Sequence, residues 1–181
     1  MLVSDPSDTT HDDTCGAIIA GVDERIEVFY HYGSFQDGVQ YALDNGYAVV
    51  SRSTTGLADN DEPAGLELLE SGGIAVHAHG ANSYIELNDR TIQGSIISAR
   101  TTNTSYGVAS EFTITETTAQ SWATALVAGY VASYAIDHPT LSFTQIRQAL
   151  RETASNGGEW QEITGYGTPD WAAAETALAG L

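Results

Sequence analysis

The 181-residue sequence contains no lysine. Six arginines supply all of its fixed positive charge against 24 aspartates and glutamates, leaving a formal charge of −18. So acidic a surface repels phosphate, which argues against nucleic-acid binding through a basic patch. A solvated acidic shell is the plainer account of the charge, and a cationic partner the sharper one. The single cysteine, Cys15, cannot form an intrachain disulfide, so packing must hold the fold together. It lies in the apolar run Cys15-Gly16-Ala17-Ile18-Ile19-Ala20, where a buried structural thiol is expected. No apolar stretch approaches the roughly 20 residues needed to cross a bilayer, so no membrane partner is expected. The opening MLVSDPSDTTHDD has neither the basic region nor the hydrophobic run of a signal peptide. Secretion, or a place in a larger assembly, stays open, and so does oligomeric state. No linker or composition shift divides the chain, and residues 1–181 read as one domain with apolar content (42%) sufficient for a core. Tyrosine and tryptophan are spread along the sequence, which implies no aromatic platform.

Short apolar runs alternate with amphipathic segments. This is the pattern of an α/β domain whose mostly parallel sheet is covered on both faces. Strands are expected at Leu2–Ser4, Ile26–Tyr32, Tyr47–Ser51, Ile74–Ala78 and Gly94–Ala99. A buried helix is expected over residues 11–21, with Asp12 and Asp13 in its first turn. Ser34 has the form of an N-cap for a helix over Phe35–Asp44, stopped by Asn45-Gly46. A further helix covers Glu62–Glu70. Ser121–Ile136 is almost free of charge, and a helix apolar all round is buried. Pro139 ends it, Ser142 or Thr144 caps the next helix to about Thr153, and Pro169-Asp170 opens a last, alanine-rich one. The Thr- and Ser-rich residues 100–118 read as loop and strand.

Nucleophilic hydrolysis needs a hydroxyl, a base beside it, and donors aimed at the developing oxyanion. Ser121, opening the apolar helix, sits where free backbone N–H groups and the positive end of the helix dipole converge. By itself it is more readily an ordinary N-cap. The surrounding order is more specific. Ala119-Gln120-Ser121-Trp122-Ala123-Thr124-Ala125-Leu126-Val127-Ala128-Gly129 resembles the subtilisin-like nucleophile motif G-T-S-x-A-x-P-x-V-A-G. His138-Pro139-Thr140-Leu141-Ser142, Gln145-Ile146-Arg147 and Gly165-Tyr166-Gly167-Thr168-Pro169-Asp170 follow in the order that family keeps. Upstream, His11-Asp12-Asp13-Thr14-Cys15-Gly16-Ala17-Ile18-Ile19-Ala20 is similar to its H-G-T-x-V/C-A-G-x-I-A motif. Ile74–Ser83 aligns with its strand ending in A-G-N.

That resemblance to subtilisin-like serine proteases implies a three-layer αβα fold and a serine endopeptidase acting on a polypeptide substrate. It implies His11 as the base, Ser121 as the nucleophile and Asn82 as the oxyanion-hole amide. Ser53, Thr54, Gly56 and Gly80 would line the substrate cleft, which should lie outside the carboxyl ends of the strands, along residues 51–56 and 74–82. The triad acid falls on Asp5, at the end of the first strand. Six residues on from it stands His11, and an extended chain of that length spans up to about 20 Å. Asp8 is the second choice, and loss of the acid a third. Ala119-Gln120, Ala125, Asp12-Asp13 and Ala81 depart from the family's glycines, threonines and proline. They keep open the alternative of an inactive module with a binding or structural role. No cofactor is required; a structural calcium is compatible with so acidic a chain. His77 and His79 lie two apart on one strand face, with no third zinc ligand in view, so structural roles are expected.

Overall fold

The computed structural model describes residues 2–4, 9–53, 61–78, 96–101, 110–161 and 164–181. Among these, six strands and six helices run in the order β1 (Leu2–Ser4), α1 (Thr9–Val22), β2 (Tyr30–Tyr32), α2 (Phe35–Asn45), β3 (Val49–Arg52), α3 (Asp61–Glu70), β4 (Ile74–Ala78), β5 (Ile96–Thr101), β6 (Phe112–Ile114), α4 (Gln120–Asp137), α5 (Phe143–Thr153) and α6 (Trp171–Leu178). The strands form one sheet in the order β2-β1-β3-β4-β5-β6, every pair parallel. This is the αβα class the sequence predicts.

Chain direction explains the layers. The path from β1 to β2 steps one way across the sheet, and the steps β2 to β3 and β3 to β4 go the other way. Right-handed crossovers then put α1 on one face and α2 and α3 on the opposite face. Helix α4 joins α1. The side chains of β4 alternate accordingly: Ile74 and Val76 join the core beneath α4, with Ile19, Val127 and Val131, whereas Ala75 joins Phe35, Val39, Ala42 and Leu68. The direction reverses at β1, between β2 and β3, and the carboxyl ends of strands at such a switch point form a natural crevice.

The helix ends follow their capping chemistry. The Ser34 hydroxyl accepts from the Asp37 N–H, and Gly46 closes α2 in the left-handed region at φ 74°. Ser142 and Gln145 form a reciprocal capping box at α5. Asp170 caps α6 by accepting from the Ala173 N–H. Helix α4 differs: its N-cap is Ala119, whose methyl can accept no hydrogen bond.

Three expectations need revision, the simplest being the strand expected over Tyr47–Ser51, which runs over Val49–Arg52. The strand foreseen over Ile26–Tyr32 is paired only over Tyr30–Tyr32, because its partner β1 has three residues, in the register Leu2↔Tyr30 to Ser4↔Tyr32. The aromatics also converge. Phe29 stacks on Tyr47 at 4.7 Å between centroids, Tyr41 lies 6.1 Å from Tyr47, and His31 lies 5.2 Å from Tyr41. Elsewhere Tyr130 stacks on Trp171 at 4.0 Å. Pairs joined through tertiary packing leave no trace in linear spacing.

At the far side of the sheet, Glu111 is fully buried and accepts from Arg147 Nε (2.7 Å), Arg147 Nη2 (2.6 Å) and Arg151 Nε (2.7 Å). This ion cluster ties the entry of β6 to α5. The closing segment then runs along the edge of β6. The Tyr166 N–H donates to the Glu111 carbonyl, the Thr113 N–H to that of Gly167, and the Thr168 hydroxyl to that of Thr113.

Candidate active site

The candidate site is built from the first turns of two helices and the end of one strand. His11 is the third residue of α1 and Ser121 the second of α4. The two helices pack closely enough that a side chain on Gly129 would meet Ile19 and Val22; its Cβ would stand 3.1 Å from the Ile19 carbonyl oxygen and 2.7 Å from Val22 Cγ2. That contact is why a glycine is required in the middle of α4 despite its cost to helix stability.

Cys15 stands one turn after His11, on the same face of α1, and is fully buried. Its sulfur lies 3.9 Å from His11 Nε2 and 4.0 Å from the Ser121 carbonyl oxygen, toward which the thiol donates. The imidazole and the Ser121 main chain are therefore separated by no more than those two contacts laid end to end. Residues 110 positions apart meet around one thiol. The Ser121 hydroxyl donates to the Ser53 carbonyl (2.7 Å), and the Ser53 hydroxyl donates to the Ser121 carbonyl (3.3 Å). This reciprocal pair seats the start of α4 on the chain leaving β3. On the other side of the ring, His11 Nδ1 faces Asp12 Oδ1 at 3.6 Å, with Asp12 itself buried.

The structure thus brings together His11, Ser121 and Ser53. Ser53 is buried (5% exposed) and engaged with the Ser121 backbone. Asp5, Asp8, Thr54, Gly56, Gly80 and Asn82 lie outside the described residues. So does His79; His77 is buried in β4, its Nδ1 2.7 Å from the Ala78 carbonyl oxygen and its ring edge-on to Phe35. Among the described residues no three His, Cys, Asp or Glu side chains group as metal ligands. Nor is any helix among them long and apolar enough to cross a membrane.

One neighbour of the histidine escapes sequence reasoning, and the burial of a second does too. Cys15 reads only as a buried thiol, although its spacing of four from His11 places it on the same helix face. Asp12 reads both as a first-turn acid that suits the helix dipole and, with Asp13, as a carboxylate beside His11; what the sequence does not give is that Asp12 is buried and faces Nδ1. Its approach to the ring depends on the rotamers of both side chains. An apolar cavity of about 340 Å³, walled by Ile19, Val28, Tyr47, Val49 and Ala132 among others, lies toward the opposite end of the sheet and touches neither His11 nor Ser121.

No family profile matches the sequence, and no curated protein matches it. Solved structures do. The prenylagaramide maturation protease PagA superimposes with a TM-score of 0.70 at 15% identity, over 98% of this chain and 86% of that one. The MycP3 protease of the type VII (ESX-3) secretion system gives 0.57 at 18% identity, over 76% and 56%. Fervidolysin from Fervidobacterium pennivorans, a keratinolytic enzyme related to subtilisin, gives 0.55 at 21% identity, over 78% and 28%. The match spans about half of MycP3 and under a third of fervidolysin. At such identities the likeness speaks for the fold: the chain has the architecture shared by subtilisin-like proteases.

Proposed function

We propose that this chain is a serine endopeptidase that cleaves peptide bonds through an acyl-enzyme. The observation that carries the reading is the meeting of the first turns of α1 and α4, with the His11 imidazole and the Ser121 backbone both about 4 Å from the Cys15 sulfur. A base and a hydroxyl 110 residues apart in sequence are carried to one thiol, on a fold shared with proteases of solved structure.

In this reading a rotation about the Ser121 Cα–Cβ bond turns the hydroxyl from the Ser53 carbonyl toward the imidazole. Oγ attacks the scissile carbonyl carbon while its proton passes to His11 Nε2. The resulting oxyanion is held by the Ser121 N–H, at the start of a helix whose N-cap offers no competing side chain, and by the Asn82 amide. Collapse breaks the C–N bond, and the His11 proton leaves with the amine. Water then enters by the same general-base step, releases the acid and restores the serine. Asp5, or Asp8, orients the ring from the Nδ1 side, which Asp12 also faces. Ser53 fixes the height of Ser121 against β3, and Thr54, Gly56 and Gly80 complete the cleft. The chemistry requires no cofactor, and any calcium would act on stability alone.

A second reading, an inactive module that keeps the fold for binding, is favoured by one contact: the Ser121 hydroxyl donates to a main-chain carbonyl, not to the imidazole. Labelling with a fluorophosphonate separates the two. Label on the parent, absent from Ser121→Ala and strongly reduced in His11→Ala, supports the enzyme. No label on the folded parent supports the module.

A further inference from the structure

The two edges of the sheet are treated differently. The edge of β6 is occupied by the chain's own closing segment, which supplies the backbone hydrogen bonds described above. The edge of β2 has no strand beyond it among the described residues. Edge strands are normally blunted by lysine, proline or a bulge. The run leading into and through β2, Ile26-Glu27-Val28-Phe29-Tyr30-His31-Tyr32, carries neither lysine nor proline and is rich in β-branched and aromatic side chains.

Its faces are also unusual. Phe29, Tyr30 and Tyr32 are 40%, 39% and 50% exposed, and Tyr41 on neighbouring α2 is 42% exposed. On the α2 side, Phe29, Tyr47, Tyr41 and His31 form a continuous aromatic strip. On the α1 side, the Tyr30 ring lies over Gly16, and burial together with Asp13 and Asp12 raises its phenol pKa. Exposed acids stand on both faces: Glu27 within the run, Asp37 on α2 near His31, and Asp13 on α1 near Tyr30. Arg25, just ahead of the run, is already paired with Asp23 and Asp137.

We propose that the outer edge of β2 is a docking strip for an extended, arginine- or lysine-rich segment of another polypeptide. The segment adds as a further strand, its backbone pairs with β2, and its cations lie against the aromatic rings and flanking carboxylates. A second copy of this chain does not fit, because each copy carries −18 and no lysine. The strip is remote in role from the candidate active site and stands whether or not the protein is a protease.

The test uses fluorescence anisotropy with a labelled peptide of alternating arginine and valine. Its controls are the same peptide N-methylated at alternate residues, and one with glutamate for arginine. N-methylation keeps the charge but removes the edge donors. The unmodified peptide should bind about tenfold more tightly than the methylated one, and the glutamate peptide should not bind. The double variant Phe29→Ser/Tyr41→Ser, changed only at exposed rings, should lose about fivefold or more. Slowed amide exchange at residues 30–32 should accompany binding. Equal affinity for the methylated peptide would reduce the effect to charge attraction and overturn the proposal. So would absence of binding, or concentration-dependent self-association of the unmodified protein abolished by Tyr32→Lys.

Discussion

Replacing Gly129 with alanine sets two measurable effects against each other. Alanine stabilises a helix interior by about 0.8–1.0 kcal/mol relative to glycine. Against that, the new methyl would sit 2.7 Å from Val22 Cγ2 and 3.1 Å from the Ile19 carbonyl oxygen, well inside the roughly 3.5–4.0 Å of a relaxed carbon contact. Val22, at the last residue of α1, can turn aside. The Ile19 carbonyl is backbone within the helix and can yield only if α1 moves away from α4. Overpacking of this kind costs about 1–3 kcal/mol. The net effect is destabilisation of up to about 2 kcal/mol, and each kcal/mol lowers the melting temperature of a chain this size by about 2–4 °C. Gly129→Val should cost more, because it adds bulk without the propensity gain. A second readout does not depend on activity. Cys15 is wholly buried between the same helices, so its reaction with a water-soluble disulfide reagent should accelerate in the native-state regime. A Gly129→Ala protein that melts higher than the parent, with Cys15 as protected as before, would refute the close helix contact. It would also remove the reason offered for why His11 and Ser121 meet.

Three further outcomes follow from the geometry. Glu111→Ala should destabilise by about 3–5 kcal/mol in urea titration, because it leaves Arg147 buried (3% exposed) with its carboxylate partner gone; a loss under about 1 kcal/mol would contradict the role given to the cluster. The Arg25 guanidinium, hydrogen-bonded to both Asp23 and Asp137, holds their carboxyls below the ordinary range. Both folded values are depressed, so this contribution is fully present above the unfolded value near 4 and is lost as pH falls through the folded values beneath it. The stability gap between parent and Arg25→Met should therefore narrow on acidification below about pH 4, and a gap that widens would contradict the assignment. Ser53→Ala removes the hydroxyl that seats the Ser121 main chain and should lower fluorophosphonate labelling several-fold while secondary structure is retained; unchanged labelling would show that the seat is not needed.

Much of the fold was legible because local chemistry sets helix ends. Ser34 and Asn45-Gly46 bracket α2, Ser142 opens α5 and Asp170 opens α6, each through groups adjacent in sequence. Strand limits were less legible, since a strand extends only as far as its partner. β2 is cut to three residues by β1, and β3 starts at Val49 because its ladder with β4 starts at Val49↔Ile74. β6, inside a Thr- and Ser-rich stretch, is defined by its pairing with β5 and by the closing segment along its other side. His11 and Ser121 could be singled out because their motifs are local. Asp12 beside His11 is legible too, being the next residue; the contact of Cys15 with the Ser121 carbonyl and the Ser53 latch are not, because they arise from α1, β3 and α4 packing at once.

The three-residue β1 is an inner strand, and among the described residues it alone joins β2 to the rest of the sheet. The first few residues of this chain thus act as a keystone. Trimming them would cut β2 and its aromatic strip adrift from β3 and leave a gap in the floor below α1. All six described strands run the same way, so Leu2 begins at the end of the sheet away from His11 and Ser121.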